Sequence, residues 1–148
     1  MNLHESLLIL ADLEKYAAEL YEKFSKECSK ELNPIMVSFS KEEKKHEIIV
    51  MDLYKIDDLR EKQLNEQTKK AIEKQINYIN CNSKTLNLNS QKDFFRYSLQ
   101  MEKNSIDIYT ELFNICEKNA YEHVNFENLI EEERKHMLYI IEKLYKMK

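Results

Sequence analysis

A Glu-x-x-His motif occurs twice in this chain, 90 positions apart, and it restricts the fold more than any other feature. The copies are Glu43-Lys44-Lys45-His46 and Glu133-Arg134-Lys135-His136. Each lies in a segment of strong helical periodicity. Residues i and i+3 of a helix are neighbours, roughly 5–6 Å apart at Cβ. A carboxylate and an imidazole are thereby aimed at one point, a pairing that suits iron, manganese or zinc.

The surroundings of the motif repeat as well. Glu14 precedes the first copy and has Tyr21 seven residues after it, and Glu102 precedes the second and has Tyr109 seven residues after it. Glu14 and Glu102 are offset by 88 positions, Glu43 and Glu133 by 90. The chain therefore reads as one helix pair written twice, with a two-residue slip. There is no Gly and one Pro, so the usual devices for tight β turns are missing. With 34% charged and 43% hydrophobic residues, the expected class is an all-α bundle. A length of 148 residues fits a single domain, 1–148, able to bury about 70% of its unfolded surface.

Four helices are predicted. The first spans about 3–30, with apolar residues at Leu10, Leu13, Ala17, Leu20, Tyr21, Phe24 and Cys28. Glu14 falls inside that stripe beside the small Ala17 and Ala18, whereas Glu19, Glu22 and Glu27 face solvent. Asn33-Pro34 reads as an N-cap and first helical position. The second helix then runs over about 34–59, with Ile35, Phe39, Glu43, His46, Val50, Leu53 and Ile56 on one stripe.

The pattern weakens over 60–91. A short helix over 69–79 is possible there, and the Asn-rich stretch 77–90 reads as loop. The third helix covers about 90–118, with a stripe of Phe95, Leu99, Glu102, Ile106, Tyr109, Phe113 and Cys116. Asn119 can end it, because Asn tolerates the left-handed conformation. The fourth covers about 122–146 with Phe126, Leu129, Glu133, His136, Ile140 and Leu144. The short connections make each pair antiparallel, and the long one suits a crossover between the second and third helices.

A net charge of −4 gives no electrostatic reason to expect nucleic acid or an anionic membrane. No apolar run approaches the ~20 residues of a membrane span, and the start of the chain lacks the basic region of a signal peptide. Cys28, Cys81 and Cys116 form no C-x-x-C motif, and a cytoplasmic location is expected. Cys28 and Cys116 are repeat-equivalent and read as small buried apolar groups. His4 and His123 read as surface residues.

One Glu-x-x-His in a Glu-rich chain means little. The conjunction carries the weight: six residues on four core stripes, in the same order twice. The alternative is a bundle in which the Glu and His merely pair with one another. Four buried carboxylates cannot be neutralised by two imidazoles, and burying unpaired charge is expensive. Two divalent metals remove the excess.

At these residues the chain resembles the rubrerythrin branch of the ferritin-like superfamily. Leu13-Glu14-Lys15-Tyr16-Ala17-Ala18-Glu19-Leu20-Tyr21 and Glu42-Glu43-Lys44-Lys45-His46 are similar to that family's first helix pair. Met101-Glu102-Lys103 through Tyr109, with Glu132 to His136, is similar to its second. The resemblance implies a ferritin-like antiparallel four-helix bundle whose ligand set is one Glu from each of two helices and Glu-x-x-His from each of the others. Glu43 and Glu133 would bridge two iron ions, for which manganese or zinc could stand in. Glu14 and His46 would complete one iron, and Glu102 and His136 the other. Tyr21 and Tyr109 sit two turns from Glu14 and Glu102 on the same faces, where a phenol can hydrogen-bond a ligand carboxylate or serve simply as a core aromatic, two compatible roles.

The implied activity is reduction of hydrogen peroxide or oxygen, in a homodimer, with electrons from an external donor such as a rubredoxin. Oxidation and storage of iron, as in bacterioferritins and ferritins, is the alternative. Full-length rubrerythrins carry a rubredoxin domain with paired C-x-x-C ligands, which this chain lacks. Many also carry a further Glu one turn after the third-helix Glu, where this chain has Ser105. The long connector resembles the short single-domain members.

Overall fold

The computed structural model describes residues 1–147. The chain divides into two compact units, Met1–Leu64 and Asn65–Lys148. Each contains one copy of the repeated helix pair. The described residues hold no β-strand, and none of their helices is long and apolar enough to cross a membrane.

The first unit is built on α1 (Leu3–Glu27) and α2 (Asn33–Tyr54), followed by a 3-10 turn at Asp57–Leu59. A capping box starts α1: Asn2 Oδ1 accepts from the Glu5 amide, and the Glu5 carboxylate accepts from the Asn2 amide. Two free helix-end donors are satisfied this way. The first turn is tied down again by a hydrogen bond from the Leu3 amide to the Lys62 carbonyl at 2.7 Å.

The two helices run antiparallel. His4 stacks on Tyr54, Ser40 Oγ donates to the Ala18 carbonyl, and Tyr21 meets Phe39 edge-on. Leu7, Leu10, Phe24, Met36, Val50 and Leu53 fill the space between them.

Helix α1 ends at Glu27, a turn earlier than the periodicity indicates. Asn33 does not cap α2, whose N-cap is Leu32. Its Nδ2 instead donates to the Ser25 carbonyl at 2.7 Å, so Asn33 satisfies an orphan acceptor at the end of α1. Pro34 does stand in the first turn of α2. That helix stops at Tyr54 rather than near 59, and Met36 replaces Ile35 as its first buried residue.

The second unit consists of α3 (Glu66–Asn82), a 3-10 turn at Ser83–Thr85, α4 (Gln91–Ile115) and α5 (Tyr121–Lys146). Asn65 caps α3, accepting from both the Thr68 amide and the Thr68 hydroxyl. The Asn-rich stretch expected as loop is helical through Asn82. Ser90 caps α4 by accepting from the Asp93 amide.

Helix α4 packs antiparallel on both α3 and α5. Tyr78 meets Tyr97 on the α3 side, whereas Tyr109 meets Phe126 and Phe113 stacks on His123 on the α5 side. Burial on two faces explains why Phe94, Tyr97, Met101, Ile108 and Leu112 are buried although they lie off the single predicted stripe. Asn119 takes φ 66° in the turn before α5, the left-handed conformation that Asn tolerates.

Candidate metal-binding groups

Each unit buries a Glu, Glu, His triad, and none of the six side chains is more than 4% exposed. In the first unit α1 contributes Glu14, and α2 contributes Glu43 and His46. His46 Nδ1 lies 3.5 Å from Glu14 Oε2 and 3.5 Å from Glu43 Oε1. In the second unit α4 contributes Glu102, and α5 contributes Glu133 and His136. His136 Nδ1 lies 3.4 Å from Glu102 Oε1. Within each triad one ligand atom per residue lies within 4.8 Å of the others.

The helices make this geometry. Residues 43 and 46, like 133 and 136, are a turn apart, so Glu and His leave the helix side by side. The antiparallel partner supplies the facing Glu. Ala17 and Ala18 are buried next to Glu14, and their small side chains leave it room. Leu10, Leu20, Phe24, Met36, Val50 and Leu53 are buried on the first triad's helices, and Phe95, Leu112, Phe126, Leu129 and Ile140 on those of the second. The carboxylates are themselves 1–4% exposed, so bulk water is kept off them.

The spacing is that of co-ligands. A neutral N–H···O bond has its mode near 2.9–3.0 Å. Donors about 2.1 Å from one metal, at angles between octahedral and tetrahedral, are about 3.0–3.4 Å apart. The charge balance agrees. In each triad a protonated imidazole offsets one carboxylate at most, and no Lys or Arg of the described residues is buried. One divalent cation per triad offsets both. The donors present, two carboxylates and one imidazole, suit iron, manganese or zinc.

Tyr21 and Tyr109 are buried on the ligand-bearing helices, two turns beyond Glu14 and Glu102. The remaining sulfur and imidazole groups lie elsewhere. Cys28 and Cys116 cap the C-terminal ends of α1 and α4 and are half-buried rather than core residues, and Cys81 is exposed on α3. His4 and His123 are half-buried and stack on Tyr54 and Phe113 instead of lying open at the surface. The sequence reading missed the buried pair Gln75 and Asn104. The signal was a lone Gln on the apolar side of α3, three residues from Ile72.

No protein-family model matches the sequence, and no curated protein matches it. Among solved structures, a Thermotoga maritima protein provisionally described as a ferritin-like diiron-carboxylate protein matches with a TM-score of 0.78. The two are 16% identical, over 100% of this chain and 97% of that one. The fold is therefore ferritin-like, with α3 as an additional helix in the long connection between α2 and α4. The Glu/His triad of each unit has the donors to hold a metal ion.

Proposed function

We propose that this protein is a non-haem di-iron oxidoreductase of rubrerythrin type. It reduces hydrogen peroxide, or oxygen, with electrons from an external protein donor. The observation that carries this reading is the distance of 3.4–3.5 Å between a buried histidine Nδ1 and buried carboxylate oxygens, found to Glu14 and Glu43 in the first unit and to Glu102 in the second. In the assignment that follows the sequence repeat, Glu14, Glu43 and His46 would hold one iron and Glu102, Glu133 and His136 the other.

A ferrous iron pair, once bound, would supply the two electrons that, with two protons, convert hydrogen peroxide to two waters. The chain's own residues do the rest. Six side chains fix the ligand positions from helices, which hold geometry better than loops. Their burial excludes bulk water from the carboxylates. Tyr21 and Tyr109, buried two turns beyond Glu14 and Glu102, would donate phenolic hydrogen bonds to ligand carboxylates and hold their orientation.

Anaerobic loading with ferrous iron followed by rapid mixing with hydrogen peroxide tests this. The proposed reading expects oxidation of both irons within one turnover, and re-reduction by a low-potential donor. Ferrous protein that ignores peroxide would sink it. Uptake of iron far above two per chain, with mineral formation, would replace it with storage.

A further inference from the structure

Helix α3 provides none of the six ligands, yet it reaches the turn of α4 that carries Glu102. Gln75 is 1% exposed. Its Nε2 donates to the Met101 carbonyl at 2.8 Å and to the Ser105 hydroxyl at 3.2 Å. Its Oε1 accepts from Asn104 Nδ2 at 3.0 Å. Asn104, also buried, accepts in turn from Gln100 Nε2 at 2.8 Å. One amide side chain thus grips the residue before Glu102 and the residues two and three positions after it. Both buried amides have exchanged water for these partners, so breaking the network leaves donors and acceptors unmade in the interior.

We propose that Gln75 is a positioning residue for Glu102. It fixes the rotation and height of this turn of α4, and so keeps Glu102 Oε1 at its distance from His136 Nδ1. The inference rests on the reading that the triads hold metal. It also accounts for Ser105. The position one turn beyond Glu102 is committed to the α3 network and does not serve as another carboxylate. The repeat-equivalent positions on α1 are Leu13, Tyr16 and Ala17, and the first unit has no third α-helix to grip them. The two metals should therefore depend on α3 unequally.

The test is a stepwise anaerobic titration of the metal-free full chain with cobalt(II), read by calorimetry and by the cobalt absorption bands. Wild type should bind two ions. Gln75→Met keeps the size and removes every hydrogen bond of the amide. It should weaken one of the two ions by about tenfold or more and alter that ion's absorption, leaving the other unmoved. Ser105→Ala, a change that favours helix, removes only the 3.2 Å bond; it should shift the same ion in the same direction by less.

Ile72→Ala is the control. It loosens the docking of α3 through lost packing without touching the amide, and should leave the ratio of the two affinities unchanged. Wild-type ratios in both Gln75→Met and Ser105→Ala would overturn the inference, as would an Ile72→Ala ratio displaced as far as that of Gln75→Met. A wild type that binds no cobalt would overturn the functional reading, and this inference with it. Two ions in both wild type and Gln75→Met, with equal affinities, would overturn this inference alone.

Discussion

His136 Nδ1 stands 3.4 Å from Glu102 Oε1, across the contact between α5 and α4. The first unit repeats the relationship between α2 and α1, where His46 Nδ1 stands 3.5 Å from Glu14 Oε2. The match extends to the atom, since in both cases the nitrogen nearer the backbone faces the carboxylates. Two triads that each hold one ion would lose their ions one at a time. His136→Ala and His46→Ala should each lower metal content from about two to about one per chain. Elemental analysis of the dialysed proteins checks this, and two ions retained by either variant would contradict it.

A buried carboxylate kept for binding is a burden on the empty protein. Replacing a whole buried ion pair or triad with hydrophobes of similar size is often neutral or stabilising by about 1–4 kcal/mol, and in each triad one of the two carboxylates exceeds what the single imidazole could offset. Glu43→Leu should therefore unfold at a higher urea concentration than wild type when both are held in chelator, by about 1 kcal/mol. Metal should reverse the order. At a hundred times its Kd an ion adds about 2.7 kcal/mol to the wild type, or roughly 5–10 °C in Tm for a chain of this size, and nothing comparable to the variant. A large loss of stability in metal-free Glu43→Leu would mean that the carboxylate serves the fold instead.

Thiol reactivity should separate two of the cysteines. Cys81 is exposed on α3. Cys28 is half-buried, and burial pushes its thiol above the usual range, while its Sγ leans on the Ser25 carbonyl at 3.5 Å. The thiolate is the reacting species. Cys28 should lag behind Cys81 in alkylation near pH 8, and its rate should climb as the pH is raised. Mass spectrometry of iodoacetamide-treated peptides reads the order directly, and equal rates would contradict the placement.

The helix pairs were legible because their apolar period is interrupted by charge. Glu14, Glu43 and His46 interrupt an apolar stripe, and so do Glu102, Glu133 and His136. A carboxylate there must be compensated, so the interruption points to the site. The ends of helices were less legible. Whether Asn33 would cap α2 or close α1 depends on the Ser25 carbonyl, which reaches it only after the chain has turned. The connector was the least legible part. Helix α3 carries few apolar residues, and it docks on α4 partly through the buried amide of Gln75. Periodicity of hydrophobic residues does not register a face whose key contacts are polar. The same omission hid the second buried face of α4, where Tyr97 meets Tyr78 of α3 and the Met101 carbonyl accepts from Gln75.

The most direct measurement is metal per chain. Protein purified without a metal-affinity tag would be stripped, reloaded anaerobically with ferrous iron, dialysed and analysed beside the Glu43→Ala/Glu133→Ala double variant. The account predicts about two irons per wild-type chain and loss of the pair in the variant. Wild type that retains no iron, or a variant that retains both, would contradict it.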